Sequence, residues 1–168
     1  SNLNRQILSL ESTLGKQKAE IARQRMLDVN SQVKVIPHIV RLSEENALSY
    51  VSGHDVVIDA LDNIPARIAL VRAAKKAGIP LVHGAIEGWR GRVTVVYPDD
   101  NAFLDILSAT DANVKALQGN LGFTASCIAS IEASEAVKIL LGRGRVRRNI
   151  LLEVNLLTGT FEEIPLTI

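Results

Sequence analysis

The run Asp55-Val56-Val57-Ile58-Asp59-Ala60-Leu61-Asp62-Asn63 constrains this chain more than any other stretch. Val56-Val57-Ile58 is short, apolar, β-branched and without alternation. A strand buried on both faces reads this way, and such strands belong to parallel sheets covered by helices. The run ends on two carboxylates, Asp59 and Asp62. Ligands of open α/β sheets sit just beyond the carboxyl ends of strands, so acids there fall where chemistry occurs. Asp62 or Asn63 equally suits the cap of the next helix, and the two roles are compatible. That helix runs from about Ile64 to Ala77, with Pro65 tolerated in its first turn and Gly78 as its stop. Ile79-Pro80-Leu81-Val82-His83 is the next strand. Strand, helix and strand make one βαβ unit and set the class as α/β.

A chain of 168 residues is about one domain and buries a real core. Its 47% hydrophobic and 22% charged residues are those of a soluble globular protein. The net charge of +1 gives no electrostatic case for nucleic acid or an anionic membrane. The single Cys127 excludes an intrachain disulfide framework and a multi-cysteine zinc site, and fits a reducing, cytoplasmic setting. The longest apolar stretch, Phe123 to Leu141, is interrupted by Glu132, Glu135 and Lys138, which marks a buried helix rather than a membrane span. Ser1-Asn2-Leu3-Asn4 reads like the middle of a protein, so a fragment lacking a first strand is expected.

The rest of the chain adds weaker signals. Residues 1–6 are rich in side-chain amides and include Arg5; a short helix or turn there accounts for Asn2 and Asn4 as well as a ligand site does. A helix follows Gly15-Lys16-Gln17-Lys18 and runs to about Val29, with Ala19, Ala22, Met26 and Val29 on one face. Lys16 and Lys18 sit at its N-terminus, where the dipole disfavours cations. An anion shared with the exposed N–H groups would explain them, and so would plain solvation. Val33-Lys34-Val35-Ile36 reads as a strand, and Ser43-Glu44-Glu45-Asn46 opens a short helix to about Tyr50, with Ser43 as cap.

Gly84, Gly88 and Gly91 do not follow the dinucleotide fingerprint. They lead into a strand from Arg92 to Tyr97, so the sheet turns antiparallel or mixed at that point. Residues 99–119 read as an irregular, functional or mobile loop. After the long helix, Arg143, Arg145, Arg147 and Arg148 suit its C-terminal dipole, with a dedicated anion site as the lesser reading. A hairpin turning at Thr158-Gly159 ends the chain.

In order, Ser1-Asn2-Leu3-Asn4-Arg5-Gln6, Gly15-x-x-Lys18 and Asp59-x-x-Asp62-Asn63-x-x-x-Arg67 resemble the ThiF/MoeB/HesA family, bacterial relatives of ubiquitin-activating enzymes. Pro80-Leu81-Val82-His83-Gly84-Ala85, Gly88-x-x-Gly91-x-Val93-x-Val95 and Glu135-Ala136-Val137-Lys138-Ile139-Leu140-Leu141-Gly142 continue the match over nearly the whole chain. The resemblance implies one Rossmann-like adenylation domain over residues 1–168, N-terminally incomplete. Its sheet would be mostly parallel and flanked by helices, with antiparallel strands towards the C-terminus. It further implies ATP- and Mg²⁺-dependent adenylation of the Gly-Gly carboxylate of a small ubiquitin-like sulfur carrier, by a homodimer. By position, Asn2, Asn4 and Arg5 would contact nucleotide, Arg5 and Lys18 would hold phosphates, and Asp62 would hold Mg²⁺ with Asn63 beside it.

Elementary chemistry agrees with those roles. A carboxylate attacking an α-phosphate brings two anions together, and positive charge must offset their repulsion. Arg5 offers a planar fork and Lys18 a flexible point charge. Mg²⁺ favours one or two carboxylates with phosphate oxygens, which suits Asp62. The attacking carboxylate is already ionised and needs no general base. Departures from the family also set expectations. The glycine-rich turn and ribose-binding acid are missing ahead of Ser1, and no zinc is expected. Residues 99–119 offer no cysteine for a thioester, and Cys127 reads as inert packing. A non-catalytic scaffold half is the alternative, against which the joint presence of Arg5, Lys18 and Asp62 argues. A dinucleotide-binding oxidoreductase is less favoured.

Overall fold

The computed structural model describes residues 3–110 and 119–166. The chain forms two compact units, Ser1–Arg41 and Leu42–Ile168. In the first, a short 3-10 turn at Glu11–Thr13 precedes helix α1, Lys18–Val29. The apolar face expected of α1 is not buried: Met26 is 51% and Val29 69% exposed. Residues 33–36 form no strand. A strand requires a neighbour to receive its ladder hydrogen bonds, and four alternating residues do not supply one.

The second unit begins with α2 (Ala47–Val51), entered through a turn in which the Ser43 amide donates to Asn46 Oδ1 at 2.9 Å. Asn46, not Ser43, occupies the cap position. There follow β1 (Val57–Asp59), α3 (Ile64–Ala77), β2 (Leu81–Glu87), β3 (Arg90–Val96), α4 (Ala102–Ala109), α5 (Gly122–Leu141), β4 (Ile150–Asn155) and β5 (Thr160–Pro165). The five strands lie in sequence order in one mixed sheet. β1 and β2 are parallel, joined by α3, and the register sets Asp59 opposite His83. The three pairs from β2 to β5 are antiparallel.

The sheet separates two cores. On one face α2, α3 and α4 close over Leu81 and Val96. On the other, Ile128 and Ala136 of α5 pack on Val82, Val93, Val95, Leu152 and Val154. The strands covered on both faces are therefore β2, whose Leu81 and Val82 are fully buried, and the second half of β3, Val93 to Val96. β1 differs from its expectation: it lies at the edge of the sheet, with Val57 in the first core and Ile58 half exposed.

Residues 102–109, read as loop from sequence, are helical because Phe103 and Leu107, one turn apart, both enter the first core. Helix α5 has the expected limits but buries only one stripe; Phe123, Val137, Leu140 and Leu141 are about half exposed or more. Two glycines set its approach to the sheet. A Cβ on Gly91 would overlap the side chain of Ile128, and one on Gly84 would overlap the carboxyl group of Glu132. A strand glycine at a close approach of this kind is required by space rather than by backbone conformation.

Candidate functional site

Asp62 follows the carboxyl end of β1 and lies exposed at the N-terminus of α3. Asn63 caps that helix: its Oδ1 accepts from the Ala66 amide at 2.9 Å, and its Nδ2 donates to Asp62 Oδ1 at 3.3 Å. Of the two readings of the Asp62-Asn63 pair, the structure shows the cap, and it falls to Asn63. Asn63 satisfies an orphan helix amide, and the Asp62 carboxylate faces solvent with one long internal hydrogen bond.

Behind Asp62 stands a polar network from three elements. Asp59, with no exposed surface, accepts the Leu61 amide at Oδ1, 3.0 Å. Its Oδ2 lies 2.7 Å from His83 Nδ1 on the paired strand. Arg67, one turn into α3, reaches His83 Nε2 at 3.2 Å and donates to the Leu61 carbonyl. Phe103 of α4 packs against the His83 ring, with centroids 4.5 Å apart. Burial holds the His83 pKa below its usual value, and the opposing pull of the Asp59 carboxylate does not restore it. Arg67 Nη1 lies 3.2 Å from Nε2 and 3.4 Å from Nδ1, against the ring, and a neutral ring donates from Nδ1 to Asp59.

On the other side of the sheet, the Glu132 carboxyl lies over Gly84, next to His83 in β2. Burial, reinforced by the charge on Asp59 and opposed by Arg67, pushes its pKa up to about 7. Its Oε1 is buried without a hydrogen-bond partner among the described residues.

The other sequence-selected residues belong to the N-terminal unit. Arg5 donates from Nη1 to Asn4 Oδ1 at 3.0 Å. Lys18 is the exposed first residue of α1, whose cap residue Gln17 makes no side-chain capping bond. Asn2 lies outside the described residues. Within the second unit the structure bonds Asp62 to Asn63 and ties the preceding Leu61 to Asp59 and Arg67. It adds His83 and Glu132, which the sequence reading had placed in a strand and in a helix without a role. Their signals were a histidine at the end of an apolar strand and a carboxylate in a helix facing a strand glycine.

The arginines after α5 have structural work. Glu135, fully buried, is paired with Lys138 and Arg147. Burial pushes its carboxyl up, and bonds from Lys138 and Arg147 outweigh that and hold it below the usual range. Arg148 chelates Asp100, pairs with Asp99, and lies 4.8 Å over the Tyr97 ring. Arg145 and Arg147 both reach Glu163. These contacts fasten residues 145–148 to α5 and the end of β3, so the lesser anion-site reading gains no support. Cys127 packs at the margin of the second core.

An acid-tipped parallel strand leading into a capped helix, inside a mixed sheet with helices on both faces, defines an α/β domain of Rossmann type. The crystal structure of Escherichia coli MccB shares this fold, with a TM-score of 0.80 at 16% identity over 98% of this chain and 51% of that one. The pattern of the ThiF family matches residues 1–167, and the chain belongs to that family. It is 36% identical over 169 residues to the SAMP-activating enzyme E1 of Haloferax volcanii, covering 98% of this chain and 63% of the relative. It is 33% identical over 180 residues to the sulfur carrier protein adenylyltransferase of Thermus thermophilus, covering 98% and 64%. The chain therefore spans less than two thirds of the length of either relative.

Proposed function

We propose that this chain is the adenylation region of an enzyme that activates a small ubiquitin-like sulfur carrier. The observation that carries the reading is the exposed Asp62 carboxylate at the tip of β1, beside a capped helix and backed by the buried Asp59 and half-buried Arg67, which pin the preceding residue. The names of the two relatives support the substrate class.

In this reading an oxygen of the carrier's C-terminal Gly-Gly carboxylate attacks the α-phosphorus of ATP. An acyl–phosphate anhydride bond forms, the bond to the β-phosphate oxygen breaks, and pyrophosphate leaves. The nucleophile enters as an anion, so the protein supplies charge and orientation rather than a base. Arg5 and Lys18 hold phosphate oxygens. Lys18 stands at an uncapped helix start, where free N–H groups and the dipole favour an anion. Asn2 and Asn4 orient the nucleotide. Asp62 would hold Mg²⁺ together with phosphate oxygens and water, the ion serving to offset the phosphate charge, and a solvent-facing carboxylate without a cationic partner among the described residues fits that need. Asn63 fixes Asp62 through its Nδ2 and keeps the turn in register through its cap. The same reading places the enzyme in the cytoplasm as a homodimer; no helix of the described residues is long and apolar enough to cross a membrane.

Hydroxylamine trapping tests the reaction. With ATP and a carrier ending in Gly-Gly, hydroxylamine attacks the activated carbonyl, AMP leaves, and the carrier gains a C-terminal hydroxamate visible in its intact mass. Hydroxamate dependent on both ATP and the protein is expected. An unmodified carrier across a panel of such carriers, with nucleotide demonstrably bound, would favour the scaffold.

A further inference from the structure

We propose that Asp59, His83 and Arg67 form a positioning set that aims the Asp62 carboxylate at its metal–nucleotide ligand; the inference rests on the proposed adenylation reading and extends it to residues that hold the backbone behind Asp62. Leu61 immediately precedes Asp62, and both of its backbone polar groups are taken. Its amide donates to Asp59 Oδ1 at 3.0 Å, and its carbonyl accepts from Arg67 Nη2. Free rotation about the φ and ψ torsions of Leu61 would sweep the Asp62 side chain through a range of directions; two side-chain bonds to its amide and carbonyl remove it.

The two gripping groups are themselves tied together. His83 donates from Nδ1 to Asp59 Oδ2 at 2.7 Å and stands 3.2 Å from Arg67 Nη1 at Nε2. Asp59 has no exposed surface and His83 is 4% exposed, so no solvent path substitutes for these bonds. Phe103 fixes the plane of the imidazole from α4. Neither β1 nor α3 alone could hold the turn; the loop between them is clamped from β1, α3 and β2 at once. Groups bonded directly to a metal ligand typically carry about 10–100-fold in metal affinity; this set acts one step further back, through the Leu61 backbone, and the lower end of that range is expected of it.

The test measures metal binding rather than turnover. Mn²⁺ serves as the paramagnetic probe, titrated by electron paramagnetic resonance onto the protein saturated with α,β-methylene-ATP. His83→Leu, Asp62→Ala and their combination form a double-mutant cycle, with urea unfolding of each variant as control. His83→Leu is expected to weaken Mn²⁺ binding about tenfold, and to weaken it no further once Asp62 is already alanine. His83→Asn keeps an amide N–H for Asp59 and is expected to bind closer to the parent than His83→Leu does. Arg67→Gln, at a half-buried site, repeats the cycle should His83→Leu fail to fold.

A His83→Leu loss that adds fully to that of Asp62→Ala, or no loss at all while Asp62→Ala does weaken binding, would overturn the positioning role and leave the adenylation reading standing. Asp62→Ala without effect on Mn²⁺ would overturn the metal role of Asp62, and the positioning inference with it.

Discussion

Glu132 and His83, neighbours across the sheet, respond to pH in opposite senses. The Glu132 carboxyl is held at about 7 by burial and by the charge of Asp59, so the folded chain keeps a proton there that the unfolded chain releases near 4.5. Its stabilisation is complete below pH 4.5 and is lost as pH rises through 7, a swing of about 3 kcal/mol. Burial lowers the His83 pKa, so its contribution is present above pH 6.5 and is lost as pH falls below that value. Urea unfolding of Glu132→Gln should therefore show a variant that gains on the parent by about 3 kcal/mol between pH 4.5 and 8. What remains in the variant should decline towards acid. A stability difference independent of pH would contradict the raised Glu132. Sequence reading reached Asp59, Asp62 and Asn63 because strand ends and helix caps are local. It did not reach the roles of His83 and Glu132, whose meeting depends on the Asp59–His83 register and on how closely α5 rides over Gly84.

Helix α3 was legible to its last residue because its limits are chemical: Asn63 caps one end, Pro65 fits the first turn, and Gly78 closes the other at φ 74°. Asn63→Ala should cost about 1 kcal/mol in urea unfolding, whereas Asn63→Asp, which keeps an acceptor oxygen for the Ala66 amide, should cost little. Equal losses in the two would show that the cap contributes nothing. Gly91→Ala tests the packing of α5 on β3. The new methyl would meet the Ile128 side chain, and overpacking of this kind costs about 1–3 kcal/mol. Combined with Ile128→Val, the two effects should be less than additive, since the smaller side chain gives room; strict additivity would place the strain elsewhere.

Elements without such punctuation were read less well. Helix α4 has a cap residue, Asn101, that makes no side-chain capping bond, and its eight residues are too short an apolar stretch to show a helical period. At residues 33–36 alternation suggested a strand, but a strand is defined by the neighbour it pairs with.

At the scale of the whole molecule, composition separated little. A net charge of +1 and an ordinary apolar content give no electrostatic case for a nucleic-acid or membrane partner and leave the chemistry open. Class and family were legible because residues scattered over 168 positions recur in one order, and the match over residues 1–167 places the chain in the ThiF family. The sheet is built so that its parallel pair and the helix between them present Asp62, while the antiparallel strands and α5 supply the body that holds β2 in place.

The central claim is that this surface activates a carrier carboxylate with ATP, and carrier-dependent ATP–pyrophosphate exchange measures that step in isolation. Labelled pyrophosphate should enter ATP only when a carrier ending in Gly-Gly is present. Asp62→Ala should slow the exchange by about 10²-fold or more, the usual scale for removing a group that stabilises developing charge. Exchange that proceeds equally well without Asp62, or its absence with every carrier despite bound nucleotide, would contradict the account.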